Sequence, residues 1–137
     1  MQIDIDLLTY LKAHITGTVP TIEQNKLAED YATSPAIMFV RRPSMQDVLL
    51  SGFPNIAETE YDFEIYGIDI DAVNTLADQL VAPYTAGGLL NGFQGAMGTT
   101  TVLAAFVSDQ ADDYTPKVEL NTDEGLNVVS FALKILH

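Results

Sequence analysis

Residues 58–80 read ETEYDFEIYGIDIDAVNTLADQL, and two periodicities meet within them. In the first half Tyr61, Phe63 and Ile65 alternate with Glu58, Glu60, Asp62 and Glu64. That period of two predicts a strand over about 56–67 with one apolar face and one acidic face. In the second half Ile70, Val73, Leu76, Ala77, Leu80 and Val81 recur at helical spacing behind a candidate N-cap, Asp69 or Asp71. The spacing predicts an amphipathic helix over about 70–82, ended by Pro83.

Toward the N-terminus, Leu7, Leu8, Leu11 and Ile15 form an apolar stripe behind Asp4 or Asp6, with Gly17 as a stop, so residues 4–16 read as helix. Residues 18–35 are polar and punctuated by Pro20 and Pro35, with room for a short helical turn over 23–31. Residues 36–42 read as a strand carrying Ile37, Phe39 and Arg41 on one side and Met38, Val40 and Arg42 on the other. The stretch 43–55 has the punctuation of a loop (Pro43, Gly52, Pro54) yet holds Met45, Val48, Leu49, Leu50 and Phe53.

Toward the C-terminus, residues 86–98 interleave Gly87, Gly88, Gly92, Gly95 and Gly98 with Leu89, Leu90, Phe93 and Met97. The β-branched run 99–108 reads as a strand, 109–115 as an acidic loop, 117–120 as a short strand and 122–125 as a turn. Residues 128–136 form the last strand, with Val129, Phe131, Leu133 and Ile135 on one face. The order is α-β-β-α-β-β. It predicts a single α+β domain over 1–137: a mostly antiparallel sheet of about four strands with both helices packed on one face.

A chain of 137 residues can bury roughly two thirds of the surface its unfolded form exposes, enough for a core without metal or disulfide. With 47% hydrophobic residues, the composition is that of a folded domain. Cysteine is absent, which removes disulfide frameworks and thiolate metal sites. Nineteen acids stand against six bases, a formal charge of −13. Such a field disfavours gripping DNA, RNA or an anionic membrane, but it permits DNA to pass without sticking. The N-terminal MQIDIDLL carries acids where a secretory signal would carry bases, and no apolar run is long enough to span a bilayer, so a soluble product without a secretory signal is expected.

Chemical motifs are scarce. Neither histidine, His14 or His137, has a neighbouring Asp or Glu at metal-ligand spacing, and no serine lies in a nucleophile-elbow context. The glycine-rich 87–98 segment lacks the Lys-Ser/Thr pair of a phosphate-binding loop. The expectation is therefore no catalytic, metal-binding or cofactor-binding residue, and no cofactor. The pairs Asp4-x-Asp6 and Asp69-x-Asp71 read as helix caps in preference to cation ligands.

Two features ask for a partner. The stripe Glu58, Glu60, Asp62 and Glu64 sets like charges about 6–7 Å apart along one strand face. It reads either as a solvated outer face partly neutralised by Arg41 and Arg42, or as a surface kept negative for a basic partner or around a DNA passage. The apolar side chains in loop-like segments, Leu49, Leu50, Phe53, Leu89, Leu90, Phe93 and Met97, either fold back on the core or bury against another subunit. They are the candidate subunit or partner interface.

The order of elements carries a resemblance. The opening helix with Leu7-Leu8-Thr9-Tyr10-Leu11-Lys12, the strand Pro35-Ala36-Ile37-Met38-Phe39-Val40, the unit from Tyr61-Asp62-Phe63-Glu64-Ile65-Tyr66-Gly67 through Ala72, Leu76, Ala77 and Leu80, and the closing Val129-Ser130-Phe131-Ala132-Leu133 together resemble the tail terminator, or tail-completion, proteins of long-tailed bacteriophages. The resemblance spans nearly the whole chain and rests on hydrophobic pattern. It implies a structural virion protein made in the host cytoplasm, forming a ring, commonly hexameric, at the head-proximal end of the tail tube. Its implied partners are further copies of itself, the tail tube protein and the head-side connector or stopper protein, with DNA only in transit through the lumen and no membrane. Another neck ring protein, and a small acidic adaptor or inhibitor that binds a basic protein, are the alternatives.

Overall fold

The computed structural model describes residues 2–16, 21–25, 35–42, 57–115 and 126–137. Among them the chain forms α1 (Gln2–His14), β1 (Thr21–Gln24), β2 (Ala36–Arg41), β3 (Glu58–Gly67) and α2 (Ile70–Val81), then a single 3-10 turn (Tyr84–Ala86). It continues with β4 (Gly95–Met97), β5 (Thr100–Val102), β6 (Ala104–Thr115) and β7 (Leu126–Leu136). The main sheet has five strands in the order β1-β2-β3-β7-β6, and β4 and β5 form a separate hairpin. β1 runs parallel to β2 while the other pairs of the main sheet are antiparallel.

This corrects the expected architecture of about four strands in the order α-β-β-α-β-β. The sheet is mixed and five-stranded, with a second sheet of two strands. Thr21–Gln24 is a strand and not part of a helical turn: Ile22 alone of its four residues is buried, against the sheet's inner face, and its backbone pairs with β2. The run 99–108 is interrupted, since Thr100–Val102 returns against Gly95–Met97 before β6 begins at Ala104. The acidic 109–115 is not a loop; its backbone continues β6, pairing with β7 after a register shift between Ser108 and Ala111. The expected strand 117–120 and turn 122–125 lie outside the described residues.

The alternation in β3 decides which way the sheet faces. Tyr61, Phe63 and Ile65 are fully buried on the inner face, while Asp62 and Glu64 are exposed on the outer one. Phe39, Phe63 and Phe131 are register partners on β2, β3 and β7, and their rings stack in a row with centroids 5.3 and 4.9 Å apart. Aromatic pairs of this kind add about 0.5–1.5 kcal/mol beyond the area they bury. Ile3, Leu7, Tyr10 and Leu11 of α1 and Val73, Leu76, Ala77 and Leu80 of α2 join the same cluster. Both helices therefore cover one face of the sheet. α2 starts where Asp69 caps it, the carboxylate accepting from the Asp71 N–H at 3.0 Å.

The segment between α2 and β6 holds the layers together. Leu90, Phe93, Met97 and Val102 are buried in the common core. The Leu89 N–H donates to the Gln79 carbonyl, a turn tight enough that a Cβ on Gly88 would lie 1.7 Å from the Ala82 oxygen. Glycine is required there. The same segment guards an edge: the Gly92 N–H donates to the Ala105 carbonyl at 2.8 Å, and the Val107 N–H donates to Asn91 Oδ1 at 3.3 Å. β6 is thereby closed to strand addition at residues 105–107.

Candidate functional surface

The outer face of the sheet carries the acidic stripe, and the register explains how its charge is answered. Lys134 lies opposite Glu60, and its Nζ is 3.5 Å from Glu60 and 3.3 Å from Glu58. Arg42, just past the end of β2, donates to Glu60 at 2.7 Å and to Asp62 at 2.9 Å. Burial pushes the Glu60 carboxyl up, but Arg42 and Lys134 outweigh it and hold it below the usual range. The same bonds raise both cations, Arg42 through Asp62 first and Lys134 through Glu58 first. Pairs this exposed contribute only about 0–1 kcal/mol each, so they set the field of the face more than its stability.

All four carboxylates point away from the core. Glu58 and Glu60 are partly covered by their cations, whereas Asp62 and Glu64 are exposed. Glu64 faces Met38 and Ser130 across the strands and makes no ion pair among the described residues. Among the described residues two cations answer four carboxylates, so the stripe keeps a negative field concentrated at its Asp62–Glu64 end. Arg41 does not take the part expected of it. It projects from the inner face toward α1, 3.8 Å from Asp4, and Lys134 provides the second cation on the outer face instead.

The apolar candidates divide. Leu90, Phe93 and Met97 are core residues of the subunit and Leu89 is half-buried beside them, so they fold back on their own chain. Leu49, Leu50 and Phe53 lie outside the described residues.

Asp4 and Asp6 are the residues that a capping interpretation misplaces. α1 already starts at Gln2, and both carboxylates are buried against other elements. Asp4 accepts from the Tyr61 hydroxyl. Asp6 accepts from Gln2 Nε2 at 2.9 Å and from the hydroxyls of Thr99 and Thr100, which tie the β4–β5 hairpin to α1. Gly98 turns that hairpin at φ +60, where a Cβ would meet the Asp6 carboxylate at 2.5 Å. The Thr100 hydroxyl is the main cause that lowers the Asp6 pKa, ahead of the burial that opposes it. A lowered pKa contributes stability that is complete above the ordinary aspartate value near 4 and is lost as pH falls through the folded value. Asp6→Asn should therefore flatten the acid limb of the stability profile, measured as melting temperature against pH, and leave the neutral-to-alkaline limb parallel to that of the unaltered chain.

A cleft of about 700 Å³ opens between α1 and the segment that follows α2, with Tyr10, His14, Tyr84 and Phe93 among its walls. Phe93 bridges Tyr10 and Tyr84, with centroids at 5.0 and 5.4 Å. The Tyr10 hydroxyl donates to the Leu89 carbonyl at 2.8 Å, and burial, with Tyr84 beside it, pushes its pKa up to about 12. His14 Nδ1 is 2.8 Å from the Tyr10 carbonyl. The Tyr10 hydroxyl, the Asp6 carboxylate and His14 Nδ1 are thus engaged by the chain's own fold. Phe93 stands out in the sequence as an apolar residue of the glycine-rich segment; the i, i+4 spacing of Tyr10 and His14 could have marked the α1 side of the cleft, and Tyr84 carries no sequence signal.

Among the described residues no group of three or more His, Cys, Asp or Glu is placed to hold a metal ion, and no helix is long and apolar enough to cross a membrane. Comparison of the chain with protein-family models and with curated proteins gives no match.

Proposed function

We propose that this chain is a structural ring subunit of a phage tail: a tail terminator, or a neighbouring neck ring, that ends tube polymerisation and joins the tail to the head connector. The observation that carries the reading is the division of labour between the two faces of one sheet. Both helices are spent on the inner face, and the outer face presents the Glu58, Glu60, Asp62 and Glu64 stripe to water. A wall of that sign around a passage lets a polyanion slide without binding. The resemblance of its hydrophobic pattern to tail terminator proteins supports the assembly, and its partners would be its own copies, the tube protein and the head-side stopper.

Virions assembled without the protein test this directly. Tails of uncontrolled length, unattached to heads, are the expected result; tails of normal length joined to heads would contradict it. Charge reversal then places the stripe. If it lines the lumen, Asp62→Lys with Glu64→Lys should leave the ring assembled but make it retain duplex DNA, with affinity falling steeply as salt rises. If it lies on the outer wall, DNA passage is unaffected.

A second reading is an acidic adaptor. It is favoured by a shallow trough of about 360 Å³ on the outer face, floored by Ser130 and Ala132 and flanked by Asp62, Glu64 and Arg42. An adaptor remains a monomer with its basic partner bound, so a size measurement separates the two.

A further inference from the structure

Charge is distributed unevenly along this chain. From residue 79 to residue 108 not one Asp, Glu, Lys or Arg occurs, in a protein of formal charge −13. Two features of the surface come from that run. One is Phe106, 51% exposed on the outer face at the β6 edge of the sheet, opposite Lys134. The other is the wall of the aromatic cleft that includes Tyr84, Phe93 and Ala96.

A strongly acidic subunit meets copies of itself at least cost where neither surface carries uncompensated charge. The cleft meets that condition: its one carboxylate, Asp6, is saturated by Gln2, Thr99 and Thr100. A basic partner would be drawn to the Asp62–Glu64 end of the outer face, not to this cleft. An uncharged aromatic insert suits it, and the chain itself exposes one.

We propose that copies of this chain join head to tail, with Phe106 of one copy seated in the aromatic cleft of the next. The proposal rests on the ring reading and names the contact that builds the ring. Phe106 stands on the outer face of the sheet, whereas the cleft opens on the helix side. The two therefore form a heterologous pair that propagates around a ring, instead of the self-complementary patch of a two-fold dimer. Strand addition around Phe106 is blocked by the Asn91–Gly92 bonds to residues 105–107 of β6, which leaves the side chain as the means of contact there.

The chain has no cysteine, so single cysteines report the contact. Ala96→Cys and Ser108→Cys proteins, the second position exposed two residues along β6 on the face of Phe106 and keeping that ring in place, purified separately and mixed under mild oxidation, should give a covalent dimer that neither gives alone. The double variant should give a ladder ending at one closed size. By light scattering, Phe106→Ser and Ala96→Arg should each raise the subunit dissociation constant at least about 30-fold, as for an interface hot spot, with circular dichroism and melting unchanged. Unaltered assembly in both variants overturns the proposal and leaves the ring reading standing on another surface. A double variant that stops at a dimer overturns the head-to-tail arrangement. A protein that stays monomeric and gives no mixed cross-link overturns the proposal, and the ring then depends on contact with the tail tube.

Discussion

Replacing Phe93 by aspartate should unfold the subunit, not loosen an assembly of folded ones. Phe93 is 6% exposed, lies between the rings of Tyr10 and Tyr84, and belongs to the same core cluster as Phe39 and Phe63. Among the described residues no Lys or Arg lines the cleft beside it. An unpaired carboxylate there costs several kcal/mol, a large share of the roughly 5–15 kcal/mol that holds a domain of this kind together. The melting temperature should fall by more than about 10 °C, or the cooperative transition should vanish. A Phe93→Asp protein that melts normally but fails to assemble would put this side chain at a subunit interface instead.

The second large effect is expected at Phe63. Its ring is the middle of the Phe39–Phe63–Phe131 stack, fully buried, and both helices pack on the layer it belongs to. Phe63→Ala removes a large side chain from a site that strands on either side hold open, so the cavity cannot collapse. The cost should be about 4 kcal/mol, read as a fall in denaturant midpoint with the slope unchanged. Phe63→Leu, which keeps most of the volume, should cost clearly less. Equal losses in the two variants would mean that the stacking geometry, more than the filled volume, is what the site contributes.

The parts of the fold legible in the sequence are those where side chains decide. Tyr61, Phe63 and Ile65 against Glu60, Asp62 and Glu64 can be placed in only one way, because a slip of one residue would bury the carboxylates. β7 and α2 announce themselves by the same logic, through Val129 to Ile135 and through Val73 to Leu80. The hidden parts are those where backbone pairing decides. β1 needs only Ile22 to face inward, and its parallel partner lies well along the chain, so no local pattern reveals it. The acidic end of β6 lies at an edge of the sheet and is held by the β7 ladder, which needs no apolar alternation.

The candidate surface was partly legible for similar reasons. The stripe follows from periodicity within one strand. Its neutralisation does not, since Lys134 reaches Glu58 and Glu60 only through the register of β7 on β3. Asp4 and Asp6 show the limit most clearly. Near a helix start a carboxylate is ordinarily a cap, but here their acceptors are filled by Tyr61 on β3 and by Thr99 and Thr100 beyond α2. Loop punctuation misleads in the opposite direction around Leu90, Phe93 and Met97. Glycines there permit close turns that fold these side chains back into the core.

The central claim, that copies of this subunit build a ring through which DNA passes, is tested most directly by electron microscopy of the purified full-length protein, alone and mixed with tail tubes. The account predicts particles with rotational symmetry and a central opening wide enough for duplex DNA, seated on one end of each tube. Compact particles without an opening, or monomers that leave tube ends bare, would contradict it.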